Sequence, residues 1–342
     1  MKKLFLLLAT IMLVRNDSFA KIWRVNNNLG INADFTTLQA AHDGAAAGDT
    51  LYLESSPTNY GGLSSSKRLV IIGTGYLLEQ NQGLQAFTLP SRISTMTLNT
   101  GSDGTIIEGL SFNTNAINIF AKDIIIKRNN FLGDDGKNDN YFGSINLYSS
   151  ANIYITQNFG IKVYNPTAAT GILISNNYIG YGLAYGEGTN GQCINLDPGT
   201  VAIIKNNIFR NGTVKSFNSN ISNNIMYNGF MEGTGNLISN NIANGIQFGT
   251  DDGNKANVDM TTVFYQAGSF DASWQLKAAS PAIGAGFGST SQSPIDCGMY
   301  GGSFPYVLSG TPAIPSIYFF SNQPVGSNSD PIHVQIKVKS NN

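Results

Sequence analysis

The segment "GNLISNNIANG", Gly235–Gly245, decides the fold that the sequence predicts. It contains an apolar residue, one spacer, two asparagines and a second apolar residue. Near copies lie upstream, and the isoleucines that open the four clearest copies are separated by 30, 17 and 17 residues. A recurring echo of this size is typical of a solenoid built from stacked repeats. These isoleucines are Ile174, Ile204, Ile221 and Ile238.

The repeat predicts short strands rather than helices. Its residues are β-branched and alternate with polar ones, and Gly and Asn punctuate them. Looser copies surround Ile126 and Ile155, and a second strand beginning at Ile117, Ile145 or Ile194 precedes the motif in several copies. The sequence therefore predicts an all-β chain, a parallel β-helix whose coils stack at about 4.8 Å.

The paired asparagines predict a bend. In "LISNNIA" Ile238 is expected to point inward and Ser239 outward, and two polar residues then break the alternation. Asparagine tolerates the left-handed conformation that a sharp bend needs. Asparagines stacked in neighbouring coils can also form a hydrogen-bonded ladder. We therefore predict that Asn206, Asn223 and Asn240 stack at one corner.

The first twenty residues have the pattern of a signal peptide. Lys2 and Lys3 precede the apolar run "LFLLLATIMLV", and Ser18 and Ala20 suit cleavage after Ala20. The run is too short to span a bilayer, and no later stretch is long and apolar enough to do so. The pattern predicts export to the periplasm, the cell surface or the extracellular space.

Composition excludes a nucleic-acid-binding protein. Charged residues make up only 12% of the chain. Without residues 1–20 the totals of 20 basic and 21 acidic residues fall to 17 and 20, and nucleic acid would need a basic surface. Two cysteines, Cys193 and Cys297, are compatible with a disulfide or with two buried thiols.

The segments that flank the repeat predict how it ends. Residues about 35–47 have apolar positions at helical spacing, Thr36 or Thr37 can cap the helix, and a strand "TLYL" follows Gly48-Asp49. A short N-terminal helix there would cover the open end of the solenoid. We divide the chain into a signal peptide (1–20), a β-helix domain (21–302) and a strand-like tail (303–342).

Two of these segments carry a family resemblance. "TLQAAHDGAAAGDTLYL", residues 37–53, resembles the opening of secreted right-handed parallel β-helix proteins of the pectate-lyase-like superfamily. "SPAIGAG" and "DCGMYGG", residues 280–286 and 296–302, resemble a closing segment of bacterial members. The resemblance implies a right-handed parallel β-helix with ligands along an outward strand face. It implies no single activity, because the superfamily holds lyases, glycoside hydrolases, esterases, epimerases and proteins without known reaction.

Two long insertions predict a trough. Residues 132–144 and 180–192 each follow an Asn bend and precede an "INL" strand, and the coil between them is short. Alternation places one set of side chains on the floor of this trough. The set is Asn118, Phe120, Asn146, Tyr148, Lys162, Tyr164, Asn195 and Asp197.

The floor suits a polysaccharide, because aromatic rings stack on sugar faces and amides bond hydroxyl groups. An ordinary polar sheet face with aromatic pairs fits the same residues. The predicted substrate-binding residues are Asn118, Asn146, Tyr148, Tyr164 and Asn195, with Tyr181 and Tyr185 as a wall.

Catalysis has a weaker basis in the sequence. Lys162 is the one basic residue of the predicted floor and Asp197 the one acid, so they are the candidate catalytic residues. Glu187 and Asp197 are a second candidate pair, for glycoside hydrolysis. No cofactor is required by this chemistry. Asp134, Asp135 and Asp139 are candidate oxygen ligands for Ca²⁺.

These observations predict an exported β-helix protein that binds or processes an extracellular polysaccharide. An enzyme of this kind would be a polysaccharide lyase or a glycoside hydrolase. The alternative is a structural or adhesive surface solenoid without catalytic activity.

Overall fold

The computed structural model describes residues 20–133, 138–182, 191–327, 329 and 331–341. These residues form a ten-stranded sheet, a twelve-stranded sheet and a C-terminal hairpin, with strands numbered along the chain. The ten-stranded sheet contains, in spatial order, β1 (Ile22–Val25), β2 (Thr50–Leu53), β4 (Val70–Ile72), β6 (Ile106–Glu108), β8 (Lys122–Lys127), β10 (Ala151–Thr156), β12 (Thr170–Ser175), β15 (Ala202–Lys205), β18 (Asn220–Ser222) and β21 (Leu237–Ser239). The twelve-stranded sheet contains β3 (Leu63–Ser65), β5 (Met96–Leu98), β7 (Ala116–Ile119), β9 (Gly143–Leu147), β11 (Phe159–Asn165), β13 (Tyr178–Gly180), β14 (Gln192–Leu196), β16 (Ile208–Arg210), β17 (Thr213–Lys215), β19 (Ile225–Tyr227), β20 (Phe230–Glu232) and β22 (Ile242–Ala243). The hairpin consists of β23 (Ser316–Asn322) and β24 (Val334–Lys339).

The strands of the two large sheets pair in parallel, as the repeat predicts. The chain passes from one sheet to the other and back, so β8 pairs with β10 while β9, between them in sequence, pairs with β7 and β11. Parallel strands need such a crossover, because a hairpin reverses the direction of the chain. The long parallel sheets confirm a mostly β chain and are compatible with a parallel β-solenoid.

The isoleucines that open the motifs lie in register. Ile204 pairs with Ile221 and Ile221 with Ile238, and both Ile204 and Ile221 are fully buried in the core between the sheets. Ile238 was expected to be a core residue like Ile204 and Ile221. It packs against the core but is only partly buried. It lies on β21, the last strand of its sheet, so no further strand covers that side.

The two asparagines of each motif have different structural roles. The first adopts the left-handed conformation, with φ of 54° at Asn206 and 58° at Asn223, as predicted. The second turns into the core and forms the ladder, where the Asn207 side-chain amide donates to the side-chain oxygen of Asn224 at 3.0 Å. Asn206, Asn223 and Asn240 directly follow residues that pair in register, in agreement with their predicted stacking. The prediction that these first asparagines also form the ladder is wrong. The ladder residues are Asn129, Asn158, Asn177, Asn207, Asn224, Asn241 and Asn254.

The first asparagines instead hold a segment that we call the strap, residues 285–313. Asn240 donates to the Ala285 carbonyl at 3.2 Å, and Asn206 donates to the Asp296 carbonyl at 3.0 Å. Further contacts follow in reverse chain order, so the strap runs back along the stack of strands. They are Asn176 with Met299 and Gly301, Gln157 with Pro305, and Arg128 with Thr311.

The strap buries the outward face of β16, β19 and β22, the strands that directly follow an Asn bend. Ile208, Ile225 and Ile242 are buried in a second apolar cluster that includes Met299 and Tyr306 of the strap. These strands are therefore covered on both faces. The surfaces available for binding are the outward face of the ten-stranded sheet and the outward face of the remaining strands of the twelve-stranded sheet.

The N-terminal helix and the tail also follow the sequence. The α-helix α1 spans Leu38–Gly44, shorter than the predicted 35–47, and the Thr37 side chain accepts a hydrogen bond from the Ala40 amide. The segment "TLYL" forms β2, and "PIHVQIKVKS" contains β24. The role of α1 as a cap of a solenoid stays a prediction. In the described part of the chain, single-turn 3₁₀ helices span Met260–Thr262, Ala272–Trp274 and Leu308–Gly310.

Both cysteines are free and buried. Burial raises the pKa of the Cys193 thiol to about 12 and that of the Cys297 thiol to about 12. Of the two possibilities that the sequence left open, the structure has two buried thiols. The signal-peptide prediction lies almost wholly outside the described residues, which begin at residue 20.

Candidate functional site

The two predicted insertions lead into β9 and β14, the strands that flank β11 on either side. β11 is seven residues long and marks a fork in its sheet. Its first half pairs with β13 through Phe159 and Ile161, and its second half pairs with β14 through Val163 to Asn165. Residues 181–191 separate β13 from β14 in the chain, and the two strands lie end to end along β11. The predicted trough would lie at this fork; parts of both insertions, residues 134–137 and 183–190, lie outside the described residues, so the trough stays a prediction.

The floor of the trough is the outward face of the twelve-stranded sheet. Ile145, Val163 and Ile194 are in register and point into the core, so the residues that follow them point outward. Asn146, Tyr164 and Asn195 are consequently neighbours across three strands. The full outward row is Ser64, Thr97, Asn118, Asn146, Tyr164, Asn195, Lys215 and Glu232.

From the order of the outward residues in the sequence, we expect Lys162 to lie one strand away from Asn146 and Asn195, and this register is wrong by two residues. Lys162 lies opposite Ser144, whereas Tyr164 lies between Asn146 and Asn195. Outward parity is unchanged, because a shift of two residues returns a side chain to the same face. Lys162 is therefore on the trough side but is not the neighbour of Asn195.

The amides and rings of this face form two short rows. Asn146 donates its side-chain amide to the Asn118 side-chain oxygen at 2.8 Å. Two residues further along the same strands, the rings of Phe120 and Tyr148 stack with centroids 4.9 Å apart and planes 12° from parallel. Tyr164, 42% exposed, presents a third ring beside the amide row. The face thus combines amide groups with accessible aromatic surface.

The Lys162 side chain lies close to the ring of Tyr181. Its ammonium lies 5.5 Å from the centroid of the Tyr181 ring, within the range of a cation–π contact. Burial lowers the pKa of the Lys162 ammonium below its usual value, because desolvation disfavours the charged form. Of the two predicted wall tyrosines, Tyr181 is thus on the trough side, and Tyr185 lies outside the described residues.

Asp197 belongs to a turn. Its carboxylate accepts a hydrogen bond from the Gly199 amide at 2.8 Å, and its carbonyl accepts one from the Thr200 amide. From the register, Asp197 lies about four residues, or roughly 13 Å, along the strand direction from Lys162. The structure does not bring the two candidate catalytic residues together. Glu187, the other candidate partner of Asp197, lies outside the described residues.

Asp139 is engaged by a guanidinium. One of its carboxylate oxygens lies 3.1 Å from Nε of Arg210, and the Arg210 guanidinium lies 4.7 Å from the centroid of the Tyr227 ring. Within the described ranges no group of three or more His, Cys, Asp or Glu residues is arranged to hold a metal ion. Asp134 and Asp135, the other two predicted Ca²⁺ ligands, lie outside the described residues.

A second asparagine row, not predicted from the sequence, lies at the other side of the fork. Asn244 donates to the Asn228 side-chain oxygen at 2.7 Å, and Asn228 to that of Asn211 at 3.4 Å. Each asparagine precedes a glycine, so Asn-Gly pairs spaced 17 and 16 residues apart carried the signal. The Asn211 side-chain amide is buried without a hydrogen-bond partner, and Arg210 and Tyr227 precede the first two pairs.

Comparisons with known proteins give no relative for this chain: no family, no curated protein and no solved structure matches it. Among the described residues, no helix has the length and apolarity needed to cross a membrane.

Proposed function

We propose that this chain is an exported, right-handed parallel β-helix protein that binds an extracellular polysaccharide along the outward face of its twelve-stranded sheet. The observation that carries the proposal is the paired arrangement on that face. The amide row Asn118–Asn146 runs beside the stacked rings of Phe120 and Tyr148, with Tyr164 next to Asn146. The signal-like residues 1–20 support export.

A sugar chain matches this chemistry better than a charged or apolar ligand does. Amide groups donate and accept hydrogen bonds, as sugar hydroxyls do, while ring faces cover the apolar side of a pyranose. Charges on the outward row are confined to Lys215 and Glu232, at one end of it. An extended row of neighbouring strands also repeats its side chains at about 4.8 Å, close to the length of one sugar residue.

Binding without turnover is the form of this proposal that the geometry favours. Lys162 and Asp197 lie about four residues, or roughly 13 Å, apart along the strands. The Asp197 carboxylate is occupied by the Gly199 amide. Two carboxyl or base groups that act on one glycosidic bond need to lie on either side of it, within about 5–10 Å of each other.

The test is a titration of purified protein with a panel of neutral and acidic polysaccharides, followed by calorimetry on the best ligand. Replacing Tyr164 with Ala should weaken binding by about 1–3 kcal/mol, the usual worth of a large aromatic contact. Asn146→Ala should weaken it by about 1 kcal/mol, the net worth of a hydrogen bond. The matched control is Tyr265→Ala, an exposed tyrosine outside both sheets, which should bind as the wild type does.

Lys162 provides a pH test for acidic ligands. Because burial lowers the pKa of its ammonium, the protein should lose affinity for an acidic glycan as pH rises through that lowered pKa. An ordinary lysine would lose its charge only at higher pH. Lys162→Ala should remove this pH dependence and leave neutral glycans unaffected. Polysaccharide binding that survives both Tyr164→Ala and Asn146→Ala unchanged would refute the proposed face.

A further inference from the structure

A groove lies between the C-terminal hairpin, β23–β24, and the segment of residues 79–88. Its volume is about 410 Å³, within the range of pockets that bind small molecules. One wall is the segment 79–88, and the other carries the aromatic residues Tyr318, Phe319 and Phe320 of β23. Neither wall belongs to the two large sheets, so the groove shares no residue with the outward row of the twelve-stranded sheet. We call it the hairpin groove.

Hydrogen bonds attach both strands of the hairpin to the segment 79–88. The Ala86 amide donates to the Ile317 carbonyl of β23 at 2.8 Å. The Lys339 ammonium of β24 donates to the Gly83 carbonyl at 2.9 Å. A two-stranded hairpin is only marginally stable by itself, so these contacts are needed to hold it in place. The two walls are therefore positioned before a ligand arrives, which lowers the ordering cost of binding.

The hairpin wall offers aromatic surface. Phe319 is 38% exposed, and Tyr318 is partly exposed. Each of these rings has an ammonium beside it, that of Lys337 at 5.0 Å from the Phe319 centroid and that of Lys339 at 5.6 Å from the Tyr318 centroid. The lysine stems of β24 thus support the rings, while part of the ring surface stays open to the groove.

The opposite wall offers polar groups. Glu79 and Gln82 line the groove and are exposed, so their polar atoms are available to water or to a ligand. Gln85 is held in place, because its side-chain amide donates to the Thr74 carbonyl at 2.5 Å. Thr88 adds a hydroxyl group to the same wall. The groove thus has hydrogen-bond donors and acceptors on one side and rings on the other.

We propose that the hairpin groove binds a short stretch of a neutral sugar chain. The C–H faces of a sugar cover aromatic rings, and its hydroxyls exchange hydrogen bonds with amides and carboxylates. A purely apolar ligand would desolvate Glu79 and Gln82 without replacing their hydrogen bonds to water. Charged ligands are disfavoured in both signs, since an anion would meet Glu79 and a cation would meet the ammoniums of Lys337 and Lys339.

The hairpin groove and the outward row are separate sets of residues, so each site can be inactivated alone. The groove therefore stands as a sugar site whether or not the sheet face binds a polysaccharide. One consequence does rest on the proposed function. With a site on the sheet face and another in the groove, one molecule can hold two stretches of glycan at once, which raises its avidity for a polysaccharide network.

The experiment measures binding of small neutral sugars to the full chain by saturation-transfer NMR and calorimetry. The probes are the methyl glycosides of glucose, galactose, mannose and N-acetylglucosamine, with cellobiose and maltose as disaccharides. We expect millimolar affinity for at least one probe, because a ligand of so few atoms gains little binding energy. Phe319→Ala should weaken binding by about tenfold, the usual effect of losing an aromatic contact, whereas Phe319→Tyr keeps the ring and should bind as the wild type does.

Gln82→Ala tests the opposite wall and should weaken binding by about fivefold, the effect of losing one hydrogen bond. Gln82 is exposed and lies outside the hairpin, so this variant leaves the hairpin intact. The matched control is Phe87→Ala, since Phe87 is 64% exposed on the same segment and is not part of the groove lining. It should bind the probes as the wild type does.

Absence of binding for every probe at tens of millimolar would overturn the proposal. So would binding that both Phe319→Ala and Gln82→Ala preserve. Tyr164→Ala, on the outward row, separates the two sites. If it abolishes binding of the small sugars, they bind on the sheet face, and the groove proposal fails while the proposed function stands. If polysaccharide binding is absent but the probes still bind in a Phe319-dependent manner, the proposed function fails and the groove stands.

Discussion

Replacing Asn207 with alanine tests whether the second asparagine of each motif ties the coils together. Asn207 is fully buried, and its side-chain amide donates to the carbonyls of Ile174 and Lys205 and to the side chain of Asn224. Its side-chain oxygen accepts from the backbone and side-chain amides of Asn177. One side chain thus joins three successive levels of the stack.

The expected loss follows from the hydrogen bonds of this carboxamide. Its two amide hydrogens are shared among three acceptors and its oxygen accepts two bonds, so it makes the equivalent of about four full hydrogen bonds. At a net worth of about 1 kcal/mol each, their removal should lower the free energy of unfolding by about 4 kcal/mol. The loss is this large because the partners stay buried and find no water to replace the amide. Neighbouring ladder members Asn177 and Asn224 would keep their bonds to the coils beyond.

The matched control is the adjacent residue, Asn206. Its side-chain amide donates to the Asp296 carbonyl of the strap at 3.0 Å, and its φ is 54°. Asn206→Gly keeps the left-handed conformation and removes the contact with the strap, so it should cost about 1–2 kcal/mol.

Both variants should be compared with the wild type by urea titration, with unfolding monitored by circular dichroism and by tryptophan fluorescence. The difference between the two losses should be about 2–3 kcal/mol, provided that both variants unfold with the same dependence on urea concentration as the wild type. A loss for Asn207→Ala no larger than that for Asn206→Gly would refute the division of roles between the two asparagines.

Two further predictions concern the core and the thiols. Ile221→Ala should lower the free energy of unfolding by about 2–5 kcal/mol, whereas Ile238→Ala, on the last strand, should cost less than half as much, and equal losses in urea would contradict the burial of these residues. Because burial raises the pKa of Cys193 and of Cys297 to about 12, a thiol reagent should label neither in the native protein at neutral pH and both in urea without a reductant. Absence of labelling in urea would indicate a disulfide.

Much of the fold could be predicted because it repeats. Each copy of the motif places an apolar residue, a spacer and two asparagines in one order, so one interpretation applied to "GNLISNNIANG" extends to strands far upstream. Thr37 as the helix cap, the inward Ile204 and Ile221 and the left-handed Asn206 follow from local stereochemistry. Local preferences of this kind are visible in a sequence because each involves only a few neighbouring residues.

The candidate site was predicted less well, since its geometry depends on how insertions are accommodated. The sequence places Lys162 and Asn195 on one face, which alternation alone decides, but it gives no measure of register across a long insertion. The structure sets that register by packing Ile145, Val163 and Ile194 in one layer, and this moves Tyr164 beside Asn195 and Lys162 away from it.

The division of labour between paired asparagines was decided by tertiary structure alone. Asn206 and Asn207 are the same residue type in adjacent positions, and nothing local distinguishes the one that bonds to the next coil from the one that holds the strap. The course of the strap could not be predicted in the same way, because the polar contacts that align it with the Asn bends are made to its backbone carbonyls, which every residue carries. The side-chain pattern therefore determined the parallel strands of this protein, and packing between segments distant in sequence determined what covers those strands and which surfaces remain open.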